Sequence, residues 1–312
     1  IYIGDESLFV INSVSYSKVA ILVDQNTKRY CLPILLDKLE LLQDALIIEV
    51  EAGEQYKNID SCNFIWNSLI EHHFDRDSLL INLGGGVICD MGGYCASTYK
   101  RGIAFMHVPT TLLAMIDASI GGKLGVNFHQ LKNQVGIFNN PEDVIIFSGF
   151  LKTLDKDQLH SAFGEIIKHV LVSGTDKDWN DLKSISLENV DWEPLIFNSI
   201  SIKLNVVLQD PFDIHERRIL NFGHTIGHAL EKETLCKHGF CVAVGMVLET
   251  TDFITKNRLV YCLKRYNLPT SIEELAALTA IYRPGPLKAN VHKKYVKDKA
   301  NAENIEYAHP II

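Results

Sequence analysis

Three histidines close together in the chain have the types and spacing of metal ligands. His224 and His228 stand four positions apart in Asn221-Phe-Gly-His-Thr-Ile-Gly-His-Ala-Leu-Glu231, and His238 follows ten positions after His228. Because an α-helix repeats about every 3.6 residues, His224 and His228 would share one helix face. Neutral imidazoles that converge with a carboxylate suit zinc, and Glu165 is the nearest carboxylate in another helical segment. A buried structural histidine beside a surface pair is the competing interpretation.

A run of three glycines suggests a second kind of chemistry, the binding of a phosphate group. Gly84–Gly86 follows a predicted strand and precedes a helix expected from Val87. Glycines let an anion approach the backbone, and the first N–H groups of a helix carry partial positive charge. Asp90 would lie one turn into that helix. Cys89 takes the place of the third glycine of a G-x-G-x-x-G fingerprint, so an ordinary tight turn is an alternative.

The segment 101–133 is richer in polar and basic residues than a purely structural segment needs to be. Thr110 and Thr111 follow a predicted strand and can cap the next helix. Gly121-Gly-Lys123 fits a loop that brings an ammonium group to an anion, although a solvated loop with surface lysines is the alternative. Further basic residues that would line an anion-binding pocket are Lys168, Lys203, Arg217 and Arg218. Lys168 stands three positions after Glu165, so the two would share a helix face or form a surface ion pair.

The composition excludes several classes of protein. With 312 residues, 47% hydrophobic and 22% charged, the chain is typical of a globular protein and long enough for two domains. The net charge of −8 argues against nucleic-acid binding. Seven cysteines without a C-x-x-C pair indicate a reducing cytoplasm. No signal peptide and no apolar run of about 20 residues is visible, so we expect no membrane partner. Because the chain begins with Ile1, we expect the native start to lie upstream.

The elements that must position these residues alternate between strands and helices in the first half of the chain. Apolar runs predict strands at 18–24, 45–50, 78–83, 103–108 and 144–147, and a helical pattern fills 59–73. This alternation predicts a parallel sheet with helices on both faces. Beyond about residue 149 the strand patterns stop, and helices are predicted at 152–174, 191–210, 216–233 and 239–256. We therefore predict an α/β domain at 1–150 followed by an all-helical domain at 151–312.

Several longer motifs, taken together, resemble the 3-dehydroquinate synthases, which are sugar-phosphate cyclases. In the first half they are GGGVICDMGG at 84–93, TYKRG at 98–102, VPTTLLA at 108–114, DASIGGK at 117–123 and Lys132-Asn133. In the second half they are GEIIK at 164–168, RRILNFGHTIGH at 217–228 and His238-Gly239. The resemblance runs from about Ile21 to Gly245 in the order of the family, and the tail is similar only loosely.

The resemblance implies an N-terminal α/β domain that binds NAD, a C-terminal helical domain that binds metal and substrate, an active site in the cleft and a homodimer. It places the zinc ligands on Glu165, His224 and His238, and it allows Co²⁺ in place of Zn²⁺. Spacing alone would add His228 to the ligands, whereas the family pattern makes it a substrate contact and a candidate for proton transfer.

The resemblance also assigns residues to the cofactor and to the substrate. The NAD contacts would be Asp24, Asn26, Glu54, Lys57, Gly84, Gly85, Gly86, Asp90, Thr110, Thr111, Lys132 and Thr153. The catalytic and substrate-binding residues would be Asp117, Lys123, Asn133, Lys168, Lys203, Arg217, Asn221 and His228. Arg101 would reach the site of a neighbouring subunit, and Lys299 would bind near the substrate phosphate.

The implied reaction belongs to the shikimate pathway of aromatic amino acid biosynthesis. Its substrate, 3-deoxy-D-arabino-heptulosonate 7-phosphate, carries a carboxylate and a phosphate, which explains basic residues gathered in an acidic protein. NAD would oxidise the C5 hydroxyl while zinc polarises its oxygen. The ketone acidifies the neighbouring C–H, so phosphate leaves by β-elimination. Return of the hydride, ring opening and aldol closure give 3-dehydroquinate, and the net reaction is that of a lyase.

The sequence departs from the family pattern at four places. These are Leu124 for a threonine, Phe240 for the acid of His-Gly-Glu, His215-Glu216 for Gly-Leu before Arg217, and Ala300 for a second lysine. Losing the acid at 240 would remove a carboxylate suited to orienting His238. Together the departures leave room for a weakened or atypical enzyme.

Three other functions fit part of this pattern. Another sugar-phosphate cyclase would differ in the end of the substrate near Asp117 and Asn133. A zinc- or iron-dependent polyol dehydrogenase would accumulate NADH, but the Lys123 to Asn133 cluster suits a multiply anionic substrate better. A non-catalytic NAD- and zinc-binding protein, favoured by Leu124 and Phe240, would neither accumulate NADH nor release phosphate.

Overall fold

The computed structural model describes residues 1–13, 15–129, 131–234 and 236–282. The described residues divide into two compact units, one made of residues 1–159 and 188–217 and the other of residues 160–187 and 218–282. Residues 151–159 and 188–217, which we assigned from the sequence to the helical domain, therefore belong to the first unit. Lys299 and Ala300 lie outside the described residues.

A parallel sheet forms the centre of the first unit. The strands are β1 (Tyr2–Ile3), β2 (Val19–Asp24), β3 (Leu46–Val50), β4 (Leu79–Gly84), β5 (Ala104–Pro109), β6 (Lys123–Phe128), β7 (Leu131–Phe138) and β8 (Asp143–Ile146). Six of them are parallel in the order β1-β8-β5-β4-β2-β3, and β6 and β7 form a separate antiparallel hairpin. Every residue of β4 is buried, as expected for a strand with both faces covered. The parallel sheet predicted from the sequence is confirmed.

The described chain contains eleven α-helices in addition to these strands. They are α1 (Gln25–Tyr30), α2 (Leu32–Lys38), α3 (Ile59–Glu71), α4 (Gly86–Thr98), α5 (Lys156–Ser173), α6 (Asp176–Ser184), α7 (Trp192–Gln209), α8 (His224–Thr234), α9 (His238–Glu249), α10 (Phe253–Arg265) and α11 (Ile272–Tyr282). Among the described residues no strand follows β8, which confirms a helical second part. None of the described helices combines the length and the apolar composition needed to cross a membrane.

Three local predictions were wrong. The segment 216–233 is not one helix, because a 3₁₀ turn at Glu216–Asn221 is separated from α8 by Gly223, whose φ is +76°. The segment 239–256 is split because the side chain of Asp252 accepts a 2.7 Å hydrogen bond from Thr255 N and starts a new helix, α10. The loop expected around Lys123 is instead strand β6 of the hairpin.

Glycines bring α5, α8 and α9 into backbone contact within the second unit. A methyl group at Gly164 of α5 would overlap the carbonyl oxygen of Gly239 at the start of α9, and one at Gly239 would overlap the carbonyl oxygen of Ser161. Gly245 of α9 meets the carbonyl of Gly223 in the same way. These close approaches fix the three helices against one another.

We expect Gly239→Ala to lower the free energy of unfolding by about 1–3 kcal/mol or more, because the added methyl group overpacks a backbone contact. Alanine favours a helix over glycine by only about 1 kcal/mol, which is too little to compensate. Gly227→Ala on α8 is the matched control, since its methyl group would lie 3.1 Å from Cα of Val242 and needs only a small shift. Urea unfolding measures both, and equal midpoints for the two variants would contradict this account.

Candidate active site

Helices α5, α8 and α9 each contribute one side chain to a cluster formed by Glu165, His224 and His238. Oε1 of Glu165 lies 3.4 Å from Nε2 of His224 and 3.3 Å from Nε2 of His238. Zinc binds nitrogen and oxygen at about 2.0–2.2 Å, so two corners of its tetrahedron are about 3.3–3.6 Å apart. The carboxylate oxygen therefore has the spacing from both imidazole nitrogens that zinc ligands require.

The opposite nitrogen of each imidazole also has a partner. Nδ1 of His224 lies 3.2 Å from the carbonyl oxygen of Phe222, and Nδ1 of His238 lies 3.2 Å from Oε2 of Glu231. In a neutral imidazole, an acceptor at Nδ1 holds the ring proton there, so that Nε2 carries the lone pair that can bind a metal. In both rings Nε2, the nitrogen available to a metal, therefore faces Glu165.

His228 offers a second set of ligands. Its ring centroid lies 5.2 Å from that of His224 and 5.6 Å from that of His238, and the three histidines bring ligand atoms within 4.8 Å of one another. The side chain of His228 is exposed, whereas that of Glu165 is fully buried. The tetrahedral spacing favours Glu165 as the third ligand and leaves His228 at the edge of the cluster.

The electrostatics of the cluster favour a bound cation. Burial lowers the pKa of His224 to about 3, so this imidazole is neutral near pH 7. Burial acts on His238 in the same direction, but hydrogen bonds to the carboxylates of Glu165 and Glu231 raise its pKa to about 9. Lys168, buried on α5, pairs with Oε2 of Glu165 and leaves Oε1 for the histidines. The negative charges of Glu165 and Glu231, on either side of His238, thus favour a cation beside its ring.

Side chains from other helices anchor the starts of α8 and α9. The carboxylate of Glu249 accepts hydrogen bonds from Gly223 N at 2.7 Å and from Ile226 N at 3.3 Å. The hydroxyl of Ser161 accepts a 3.0 Å hydrogen bond from Gly239 N. The first N–H groups of a helix lack partners within the helix, so these contacts hold both metal-facing histidines in place.

In the first unit, the triple glycine forms the turn between β4 and α4. Gly84 ends the strand, and Gly85 precedes the helix without supplying a side-chain cap. The carbonyl oxygen of Gly84 accepts a hydrogen bond from Thr110 N at 3.0 Å, which places the turn beside the carboxyl end of β5. Helix N–H groups at the carboxyl ends of adjacent parallel strands suit a pyrophosphate.

A hydrogen-bonded network next to α4 connects residues that the sequence assigned to NAD and to the substrate. Nζ of Lys57 donates to Oδ2 of Asp90 at 2.5 Å and to Oδ1 of Asn133 at 2.7 Å. Asn127 accepts from Asn133 N at 3.0 Å and donates to Oε1 of Glu54 at 2.9 Å. Burial raises the pKa of Asp90, while the ion pair with Lys57 opposes that shift. Asn127 received no role from the sequence, because its contacts depend on the pairing of β6 with β7.

The predicted substrate-binding cations of the first unit are held by oxygen acceptors. Nζ of Lys203 donates to the carbonyl oxygen of Asp117 at 2.5 Å and to its carboxylate at 2.6 Å. Asp117 lies in a π-helical turn at Ala114–Ala118. Lys123 pairs with Asp213 at 2.5 Å, and the guanidinium of Arg217 donates to the carbonyl oxygen of Pro211 at 2.8 Å. These partners restrain the long side chains in defined positions.

The remaining predicted residues lie in simpler surroundings. Asp24 caps α1 by accepting a 2.8 Å hydrogen bond from Thr27 N, and the hydroxyl of Thr153 donates to the carbonyl oxygen of Phe150 at 3.3 Å. Thr111 accepts from Ala114 N at 3.2 Å, as a capping residue does. The exposed members are Asn26, Arg101, Lys132 and Asn221. Their assignment to cofactor or substrate stays a prediction.

Two departures from the family pattern have structural explanations. Leu124 is buried in the apolar core of the first unit, so this substitution changes packing. Phe240 is buried on α9, and the carboxylate beside His238 comes from Glu231. The loss of an acid at position 240 therefore does not leave His238 without a carboxylate partner.

Metal analysis distinguishes the two ligand sets. We expect purified His224→Ala and Glu165→Gln to lose stoichiometric zinc, because each would remove one of the three candidate ligands. We expect His228→Ala to retain zinc. Retention in Glu165→Gln together with loss in His228→Ala would assign the metal to the three histidines instead.

Two family models cover most of the chain. The model of the 3-dehydroquinate synthase N-terminal domain matches residues 47–161, and that of the C-terminal domain matches residues 162–283. A third model, of the bacterial DNA polymerase III alpha subunit finger domain, matches residues 260–312. Lys299 therefore lies beyond the synthase models, and its predicted role has no support from them.

Individual proteins extend this comparison. The 3-dehydroquinate synthase of Parabacteroides distasonis is 42% identical over 250 residues, which are 77% of this chain and 69% of that protein. A structure of 2-deoxy-scyllo-inosose synthase complexed with carbaglucose-6-phosphate, NAD⁺ and Co²⁺ has a TM-score of 0.80 at 23% identity, covering 97% of this chain and 86% of that chain. A 2-epi-5-epi-valiolone synthase from Streptomyces hygroscopicus subsp. jinggangensis with NAD⁺ and Zn²⁺ bound has a TM-score of 0.77 at 23% identity, covering 97% and 87%. The two structures share the fold, while the domain models and the bacterial relative show that this chain belongs to the 3-dehydroquinate synthase family.

Proposed function

We propose that this protein converts 3-deoxy-D-arabino-heptulosonate 7-phosphate into 3-dehydroquinate and phosphate, as a carbon–oxygen lyase. Membership of the 3-dehydroquinate synthase family supports the reaction. The structural observation that carries the proposal is the spacing of Glu165 Oε1 from the Nε2 atoms of His224 and His238. Leu124 and Phe240 favour a non-catalytic function in the sequence. In the structure, however, Leu124 lies in the apolar core of the first unit, and His238 has a carboxylate partner in Glu231.

The proposed cofactors are NAD and a divalent metal ion, with zinc as the resident ion and Co²⁺ able to replace it. The fold neighbours that contain NAD⁺ with Co²⁺ or Zn²⁺ support this choice. When bound, NAD would accept and return a hydride, and the metal would act as a Lewis acid toward substrate oxygens. Glu165, His224 and His238 would hold the metal, and the Gly84–Gly86 turn would hold the pyrophosphate.

Basic residues of this chain would bind the two anionic groups of the substrate. Lys203 and Lys123 are already fixed by Asp117 and Asp213, so they lose little side-chain freedom when an anion binds. Lys168 is fixed in the same way by Glu165. The exposed imidazole of His228 would exchange a proton with the substrate.

The quaternary structure and location are proposed from the family pattern. A homodimer would allow Arg101 to reach the site of the neighbouring subunit, and we expect the enzyme to act in the cytoplasm. Sedimentation of the purified protein measures its oligomeric state.

The glycine turn provides a test of NAD binding. We expect Gly85→Val to weaken NAD binding by about tenfold or more, because a branched side chain would occupy the approach of the pyrophosphate and press on Thr111. Wild-type protein stripped of metal with a chelator is the control and should keep its NAD affinity. Calorimetry measures both, and unchanged affinity in Gly85→Val would mean that the glycines form only a turn.

Phosphate release tests the reaction itself. With the heptulosonate phosphate and a trace of NAD, we expect one phosphate per substrate consumed and no accumulation of NADH, because the hydride returns to the product. His224→Ala is the matched control and should release none. Accumulated NADH would indicate a polyol dehydrogenase, and release only from a sedoheptulose or hexose phosphate would indicate another cyclase.

A further inference from the structure

His238 is held between carboxylates from two different helices. Its Nε2 faces Oε1 of Glu165 on α5 at 3.3 Å, and its Nδ1 faces Oε2 of Glu231 on α8 at 3.2 Å. Glu231 stands seven positions after His224, which is about two helical turns, so the two lie on the same face of α8. One face of α8 therefore carries His224, a candidate metal ligand, and Glu231, the hydrogen-bond partner of the candidate ligand His238.

We propose that Glu231 is a positioning residue for the metal site, which fixes the tautomer and ring angle of His238 so that Nε2 stays directed at the metal. This inference rests on the proposed metal site of Glu165, His224 and His238. Position 240 cannot supply the carboxylate in this chain, because Phe240 is apolar and buried.

The two histidines differ in the partner at Nδ1, and that difference gives Glu231 a specific effect. His224 has the neutral carbonyl oxygen of Phe222, whereas His238 has a carboxylate. A hydrogen bond to a carboxylate is stronger and makes the imidazole a more basic ligand. His238 thus becomes the stronger of the two nitrogen donors, and its contribution depends on a residue that does not touch the metal.

Charge also separates a positioning role from simple packing. Glu165 shares its charge with Lys168 through Oε2, so the metal receives only part of it. Glu231 adds a negative charge behind His238. Replacing it with glutamine keeps the size and an oxygen acceptor but removes the charge, and replacing it with alanine removes both.

Zinc affinity measured by competition with a chelator tests the proposal, using Glu231→Gln, Glu231→Ala and Glu233→Gln. Glu233 stands on the same helix and is the matched control. We expect a loss of zinc affinity of about 10- to 100-fold in Glu231→Ala, a smaller loss in Glu231→Gln and no change in Glu233→Gln. In the cobalt-loaded proteins, we expect the visible absorption bands to shift in both Glu231 variants only. The melting temperature of each metal-stripped protein shows whether the fold is intact.

The outcomes separate this inference from the function on which it rests. Wild-type protein that binds no zinc would overturn both. Wild-type protein that binds zinc, with equal affinity and an identical cobalt spectrum in the Glu231 variants, would overturn the role of Glu231 alone. If Glu231→Ala fails to fold, the near-isosteric Glu231→Gln decides, and a loss in Glu233→Gln of the same size would also count against the proposal.

Discussion

The close packing of α5, α8 and α9 is the constraint on which the candidate metal site depends. Metal–ligand distances tolerate only about 0.2 Å of error, so flexible side chains on separately moving helices would be poor ligands. Gly164 against Gly239, and Gly223 against Gly245, bring the helix backbones together where larger residues would separate them. The candidate ligands Glu165, His224 and His238 each lie one residue from one of these glycines. The chain thus uses its smallest residues to set the distances between the three candidate ligands.

Three of the lysines predicted from the family pattern to bind cofactor or substrate lie in buried ion pairs. Lys57 with Asp90, Lys168 with Glu165 and Lys203 with Asp117 all have lysine side chains that are almost fully buried. Removing both charges from water costs several kcal/mol per ion, and apolar residues of similar volume are often as stable or more so. Stability alone does not explain three such pairs. They are better understood as a means of holding charged groups ready for charged ligands.

The sequence predicted what depends on local pattern and missed what depends on distant contacts. Five strands were located within one or two residues, because continuous apolar runs between glycines and polar turns specify buried parallel strands. The hairpin was missed because β7 is exposed along most of its length and shows no simple alternation. The break at Gly223 was missed because apolar periodicity continues across it. Candidate metal ligands followed from residue type, but the partners Glu231 and Glu249 carry no local signal, and only the packed helices bring them to His238 and Gly223.

The π-helical turn at Ala114–Ala118 makes part of the first unit sensitive to chain length as well as to side-chain identity. Ser119 N bonds to the carbonyl of Ala114, five positions back, so the turn holds one residue more than an α-helical turn. This geometry lets Asp117 offer both its carbonyl oxygen and its carboxylate to Lys203. Deleting one residue here would restore regular winding and rotate Asp117 by about 100° around the helix axis. The position of Asp117 relative to Lys203 therefore depends on the number of residues in this turn as well as on their side chains.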